Sequence, residues 1–453
     1  MQRRDLTGEM SAYIAGAAFD RLPAAVVERA KVHVLDTLGA VVSGSQLKPG
    51  QLVREFVRGQ GGPPEASVAA SGLQTSAVLA ALANGTMAHA DETDDVHFAS
   101  ATHPGAPAVA AALAVGETTH RSGRDFIMAV VLGYDVTCRV SRALDRDWMA
   151  GRGLNSRSVS AVFGATAAAS RLLGLTVDQV RYALAFAATQ ASGLVTWRQE
   201  PEHVDKALTL AGLPARNGVT AALWAQAGFT AAPDVFDGEE NVFRAFCQEP
   251  RPAELVAELG ARFEIMGASI KKYPVGQPVQ APLEGYFQLV AEHGLTGDDI
   301  EEVVVRLAES GAHTVDDRLI PDINCQYLLA LAMLDGRLDF HSAHDPGRMT
   351  APDVLAAKRR VRLEADPELT RGYPAVRNAI VEIATRDGRR FRTLVDRLPG
   401  SPNNPLPAAE VEAKFLSLGA PVLGEERTRA VVEQVQELEV LPDVTVLGAL
   451  LRT

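Results

Sequence analysis

The chain has 453 residues, 47% of them hydrophobic, which supplies a large buried core and room for two or three domains. A formal net charge of −12 leaves no basic footprint for nucleic acid. No uncharged apolar run reaches the ~18 residues a membrane span needs, and three widely spaced cysteines, Cys138, Cys247 and Cys325, fit a reducing, cytoplasmic compartment without a structural zinc or iron–sulfur site.

In chain order, the N-terminal MQRRDLTGEM has basic residues but no apolar segment after them, so it does not read as a secretory signal. Residues 8–45 read as two helices, the second opened by Pro23, with Val26, Val27, Ala30, Val34 and Leu35 at helical spacing. Further helices are expected at 74–90, 105–117, 125–141, 158–175 and 176–196, all rich in Gly, Ala and Ser, which favours tight helix packing. The texture changes after about residue 262. Strand candidates follow at 300–308 and 360–366, and 379–396 reads as a hairpin turning near Asp387-Gly388. SPNNPLP (401–407) reads as a linker, after which the pattern returns to helix. The expected fold is therefore mainly α. A large helical domain (1–267 and 401–453) holds a smaller α+β domain (268–400) as an insertion.

Between the helices 74–90 and 105–117 lies NGTMAHADETDDVHFASATHPG (84–105), which packs His89, Asp91, Glu92, Asp94, Asp95, His97 and His103 into one stretch. Neighbouring carboxylates and imidazoles push each other's pKa values apart and so provide an acid and a base near neutral pH. Three readings stay open on these residues alone: a solvated acidic loop, a divalent-metal site built from His89, Asp91, Asp95 and His97, or metal-free acid–base chemistry with a carboxylate and His103. Lys206 (in EHVDKALTLAG) and the pair Lys271-Lys272 before Tyr273-Pro274 are each as readily surface cations as anion anchors. Tyr327, in NCQY, by itself reads as a core tyrosine with its hydroxyl satisfied by backbone.

Taken together, the H-x-x-[DE]-x-DD pattern from His89, the His103-Pro104 pair, Lys206 before a Gly-Ala-rich helix, KKYP (271–274) and Tyr327 resemble the MmgE/PrpD family. The similarity extends to LPAAVVERAKVHVLDTLGAVVSGS near the start, SGRDFIMAVVLGYDVTCRV (122–140), FGATAAASRLLGL (163–175), GFTAAPDVFDG (228–238) and NPLPAAEVEAKF (404–415). The resemblance implies a two-domain homodimer with its site in the cleft between domains. It implies cofactor-independent lyase chemistry, 2-methylcitrate dehydratase-like, on a small di- or tricarboxylic acid, with decarboxylation, epimerisation or simple carboxylate binding as alternatives. By the same resemblance His103, Glu92, Lys271 and Tyr327 are catalytic. His103 would transfer the proton, assisted by Glu92. Lys206, Arg157, Asn155, Lys272 and Gln280 bind substrate, with no metal and no partner other than a second copy of the chain. Four departures stand out. Asn155 and Arg157 (in GLNSRS) replace the family's His and Thr, Gln280 replaces a His, Glu92 stands where Asp is more usual, and the spacing from Lys206 to Gly212 is one residue longer than usual.

Overall fold

Small side chains let the helices of this protein lie almost backbone to backbone. In the computed structural model, which describes residues 4–200, 202–373 and 376–453, a Cβ added to Gly133 would sit 2.5 Å from the Ala108 methyl. One added to Gly85 would sit 3.0 Å from the Ala211 carbonyl oxygen. Those glycines join the helices Ala77–Ala88, Gly105–Thr118, Gly123–Ala143, Ser156–Leu173 and Leu213–Gln226 into a bundle whose middle turns are buried all round. Burying each Val, Leu or Phe there contributes about 1.5–3 kcal/mol before the entropy of ordering is counted. Met1–Arg3, part of the N-terminal stretch read above, lie outside the described residues.

The chain divides into two units. The first comprises the residues up to Ala90, Asp94–Ala268 and Pro407–Thr453; the second comprises Asp91–Thr93 and Ser269–Leu406. The first unit is helical, its strands only two residues long. The N-terminal pair of helices runs Leu6–Gly16 and Ala24–Gly44, and the chain returns to this unit through Ala408–Leu423 and Glu425–Gln436. Lys48–Gln60 is a helix the sequence pattern does not announce, because its buried stripe is only Pro49, Gly50, Val53 and Val57. The helix expected over 176–196 stops at Gln190: Gly193 takes φ 144°, a conformation only glycine adopts readily.

The second unit is built on a four-stranded sheet in the order Val361–Ala365, Ile300–Leu307, Ala379–Thr385, Arg390–Val395. The first pair is parallel and the others antiparallel, with Val305 opposite Val381 and Ile383 opposite Phe391. The hairpin turn places Gly388 at φ 88°. Val303, Val305, Val381 and Ile383 alternate onto a buried face, while Arg306, Glu364 and Glu382 pair on the other. The helix Gln277–His293 packs against this sheet, and Gly285 allows the approach: a Cβ there would meet the Val381 side chain at 2.7 Å.

Candidate active site

The loop 89–103 begins where the helix Ala77–Ala88 ends, on His89, and finishes on His103-Pro104, from which the helix Gly105–Thr118 starts. Asp95 anchors the second junction. Its carboxylate accepts from the Gly105 amide (3.0 Å) and from the Tyr134 hydroxyl (2.7 Å) and lies 2.9 Å from His33. An ionised carboxylate at a helix start satisfies an orphan amide and complements the helix dipole.

Asp94, its neighbour, does something different. Its Oδ2 accepts from His89 Nδ1 at 2.7 Å and lies 3.3 Å from His103 Nδ1. The two rings meet edge to face, 4.8 Å between centroids. His103 Nδ1 is also 2.8 Å from the Asp95 carbonyl oxygen. A carbonyl only accepts, so Nδ1 carries the proton and any proton this ring exchanges passes through Nε2. His89 is fully buried, and burial drives its pKa well below the ordinary value despite Asp94, so it stays neutral. His103 keeps 11% of its side-chain surface and is the more accessible of the pair. A third imidazole, His203, has its ring 6.0 Å from that of His89 and its Nδ1 3.1 Å from the Ala90 carbonyl oxygen. Lys206 follows three residues later, almost buried, with its ammonium 5.2 Å from the centre of the Trp197 ring. Its charge further disfavours protonation of His89. Immediately beyond Lys206 the helix opens into a π-helical turn, Leu208–Gly212, which holds one residue more than an α turn. Within it the Ser158 hydroxyl donates to the Thr209 carbonyl (2.7 Å).

Asn155 caps the helix Ser156–Leu173 by accepting from the Arg157 amide (3.1 Å). Its Nδ2 is buried without a hydrogen-bond partner among the described residues, a donor still to be satisfied. Arg157 stands half-buried in the first turn of the same helix.

In the second unit, Lys271 is buried and donates to the Glu92 carbonyl oxygen (2.6 Å), with the Glu92 carboxylate 3.5 Å away. Glu92 has φ 56°, a left-handed conformation that costs a non-glycine residue about 1 kcal/mol or more. His344, which the sequence reading did not single out, places Nε2 2.9 Å from the Asp91 carbonyl oxygen.

Several expectations are corrected by these contacts. The carboxylate on His103 in its own unit is Asp94, whereas Glu92 pairs with Lys271. Tyr327 does not offer a free hydroxyl: its oxygen donates to the Ser342 carbonyl (2.6 Å) and lies 3.2 Å from that of Asp345. Burial also raises its pKa far above the ordinary tyrosine value. Gln280 is spent on the turn after Lys271, accepting from the Tyr273 amide (3.0 Å) and donating to the Tyr273 and Val275 carbonyls (2.8 and 2.9 Å). With both amide donors and one acceptor position used locally, it braces this turn. Lys272 pairs with Glu284 at 2.8 Å on a half-exposed surface. The metal quartet also dissolves. Asp95 is committed as above, and His97 accepts from the Ser100 amide (3.2 Å) and faces Glu264 at 3.4 Å. Among the described residues the group that gathers ligand atoms is His89, Asp94 and His103, whose nearest atoms already satisfy one another. His203 and His344 carry no motif; nearness to Lys206 in sequence was the one hint for the former.

Comparison with known proteins identifies the family of both parts of the chain. Residues 8–255 match the MmgE/PrpD N-terminal domain model and residues 273–438 the MmgE/PrpD C-terminal domain model. A cis-aconitate decarboxylase from Aspergillus terreus (strain NIH 2624 / FGSC A1156) is 27% identical over 483 residues, spanning 98% of this chain and 96% of the relative. The cis-aconitate decarboxylase of Homo sapiens is 25% identical over 473 residues, spanning 100% of this chain and 95% of its own. A 2-methylcitrate dehydratase from Escherichia coli (strain K12) is 27% identical over 259 residues, about half of each chain (52% and 51%). These relatives are carboxy-lyases and hydro-lyases, so the chain lies among lyases.

Proposed function

The chain belongs to the MmgE/PrpD family, and we propose that it is a lyase acting on a small unsaturated or hydroxylated tricarboxylic acid, with decarboxylation the first reading. The observation that carries it is the Asp94 carboxylate beside two imidazole Nδ1 atoms, one imidazole held neutral and the other accessible. The relatives that match across the whole chain being decarboxylases favours loss of carbon dioxide. The half-length match to dehydratases supports loss of water as the second reading.

In such a decarboxylation the bond from carbon to a leaving carboxylate breaks. Its electron pair moves through the adjacent double bond, and the far carbon takes a proton. His103 Nε2 delivers that proton. Asp94 stabilises the imidazolium before transfer and, with the Asp95 carbonyl, keeps the ring aimed. Lys206 and Arg157 hold carboxylates, and the spare donor of Asn155 takes a carboxylate or hydroxyl oxygen. Lys271 and Glu92 form a second acid–base pair, held within the second unit. The family's homodimer is adopted as the working state.

The test is a screen of cis-aconitate, citrate, 2-methylcitrate and related diacids by NMR in heavy water. Loss of carbon dioxide with deuterium taken up at one carbon, or loss of water, is the expected outcome. Binding with neither conversion nor exchange would overturn the reading in favour of a carboxylate-binding protein.

A further inference from the structure

We propose that His344, braced by Tyr327, is a positioning residue that holds Glu92 in its left-handed backbone conformation. The proposal rests on the reading of Glu92 as a working carboxylate of the site.

The backbone direction at a Cα is set by the two peptide planes that flank it. At Glu92 both planes are gripped by basic side chains. The carbonyl before it, of Asp91, accepts from His344 Nε2 (2.9 Å), and its own carbonyl accepts from Lys271 Nζ (2.6 Å). The Asp91 carboxylate closes the same turn by accepting from the Thr93 amide (3.0 Å). With both planes held, φ 56° is imposed from outside, as a strained residue at a working site requires.

His344 is suited to this task. Its Nδ1 lies 2.7 Å from the Phe340 carbonyl oxygen, so the ring is held between two carbonyls. The Asp322 carboxylate lies 3.6 Å from Nε2. The Phe340 ring covers the imidazole at 4.4 Å between centroids. Tyr327 completes the brace: its hydroxyl sits on the carbonyls of Ser342 and Asp345, two residues before His344 and one after it. Asn324 fixes Tyr327 in turn by capping its helix, accepting from the Tyr327 amide at 2.9 Å. The sequence of supports therefore runs from the helix Cys325–Asp335 through Tyr327 and His344 to the Asp91 carbonyl and Glu92.

The experiment compares full-length wild type with His344→Phe, His344→Gln and Tyr327→Phe, by hydrogen exchange resolved to peptides and by steady-state kinetics. In His344→Phe the amides of Glu92–Asp94 should exchange about tenfold faster or more, while those of the strands Ile300–Leu307 and Ala379–Thr385 keep their protection. kcat should fall about tenfold with KM changed by less than about threefold, because what is lost is the aim of a group and not a substrate contact. His344→Gln, which restores a donor near Nε2, should recover most of both signals, and Tyr327→Phe should show the same pattern more weakly. Unchanged exchange at Glu92–Asp94 in His344→Phe overturns the proposal. So does a rise spread equally over the strands, which would make His344 a general stabiliser. Exchange responding as stated in a chain that converts none of the acids leaves the clamp standing and removes the lyase reading instead.

Discussion

Asp94 and Asp95 are adjacent, chemically identical and equally buried, yet they serve different ends. Asp95 fastens a helix start and, through its carbonyl, fixes the tautomer of His103. Asp94 lies between His89 and His103 and, in the proposed reaction, carries the charge that His103 needs while it is protonated. Replacing Asp94 with Asn keeps the volume and leaves the His103–Asp95 bond in place. The expected result is a fall in kcat of about 10²–10⁴-fold, the usual worth of one acid–base group, with KM and the circular dichroism spectrum unchanged. His103→Gln should match it, and the double variant should lose little more than either single one, since the two act as one unit. The same cluster makes a statement about metals. His89 Nδ1 is bonded to Asp94 and His103 Nδ1 to the Asp95 carbonyl, so the nearest donor atoms are already engaged. Exhaustive chelation is therefore expected to leave turnover unchanged, and metal analysis of the purified protein to find no stoichiometric ion.

The turn after Lys271 shows how an element serves the site without touching substrate. Gln280, in the first turns of the helix Gln277–His293, bonds three backbone groups of Tyr273 and Val275 and so fixes the path of the chain leaving Lys271. Gln280→Leu would strand those groups in a buried place. The expected cost is about 1–3 kcal/mol, read as a lower denaturation midpoint in urea, with kcat affected less than in the Asp94 variant. The π-helical turn after Lys206 belongs to the same scale. Nothing in the sequence announces it; it depends on the packing of the bundle. Gly212 lies so close to Thr86 that no side chain fits, and Ser158 caps the Thr209 carbonyl inside the turn.

Across the whole molecule, buried titratable groups set opposing trends with pH. Burial lowers His97 from the ordinary 6.5 to about 4, with Glu264 only partly offsetting it. The folded state then binds fewer protons than the unfolded one between pH 4 and 6.5. This contribution is present in full above 6.5 and is lost as pH falls through that window; it amounts to about 3 kcal/mol. His89 acts in the same direction. Burial raises Glu117 to about 7 and Asp135 to about 6, which acts in reverse: stability is full at low pH and is lost as pH rises through those values. The trends partly cancel in the wild type, so single variants should expose them. Between pH 7 and pH 4.5, His97→Gln should lose less stability than the wild type and Glu117→Gln more, measured by urea unfolding at each pH. Among the described residues no helix is long and apolar enough to cross a membrane.

Periodicity located many of the long helices, the four strands and the hairpin, because 3.6- and 2-residue repeats survive in any sequence that buries one face, but it passed over the helices Lys48–Gln60, Leu213–Gln226 and Gln277–His293. Motif and resemblance drew attention to His103, Glu92, Lys206 and Lys271, because acids and imidazoles crowd the stretch 84–105 and the two lysines recur in the family pattern. Neither could say which carboxylate faces which imidazole, for neighbouring residues on an irregular loop diverge in directions only the surrounding helices fix. Nor could they tell that the hydroxyl of Tyr327 and the amide of Gln280 are consumed by backbone, or that His203 and His344, far away in sequence, grip the carbonyls of Ala90 and Asp91. Hydrogen-bond partners are a property of the folded chain: the sequence names the groups able to bond, and the packing decides which of them remain for substrate.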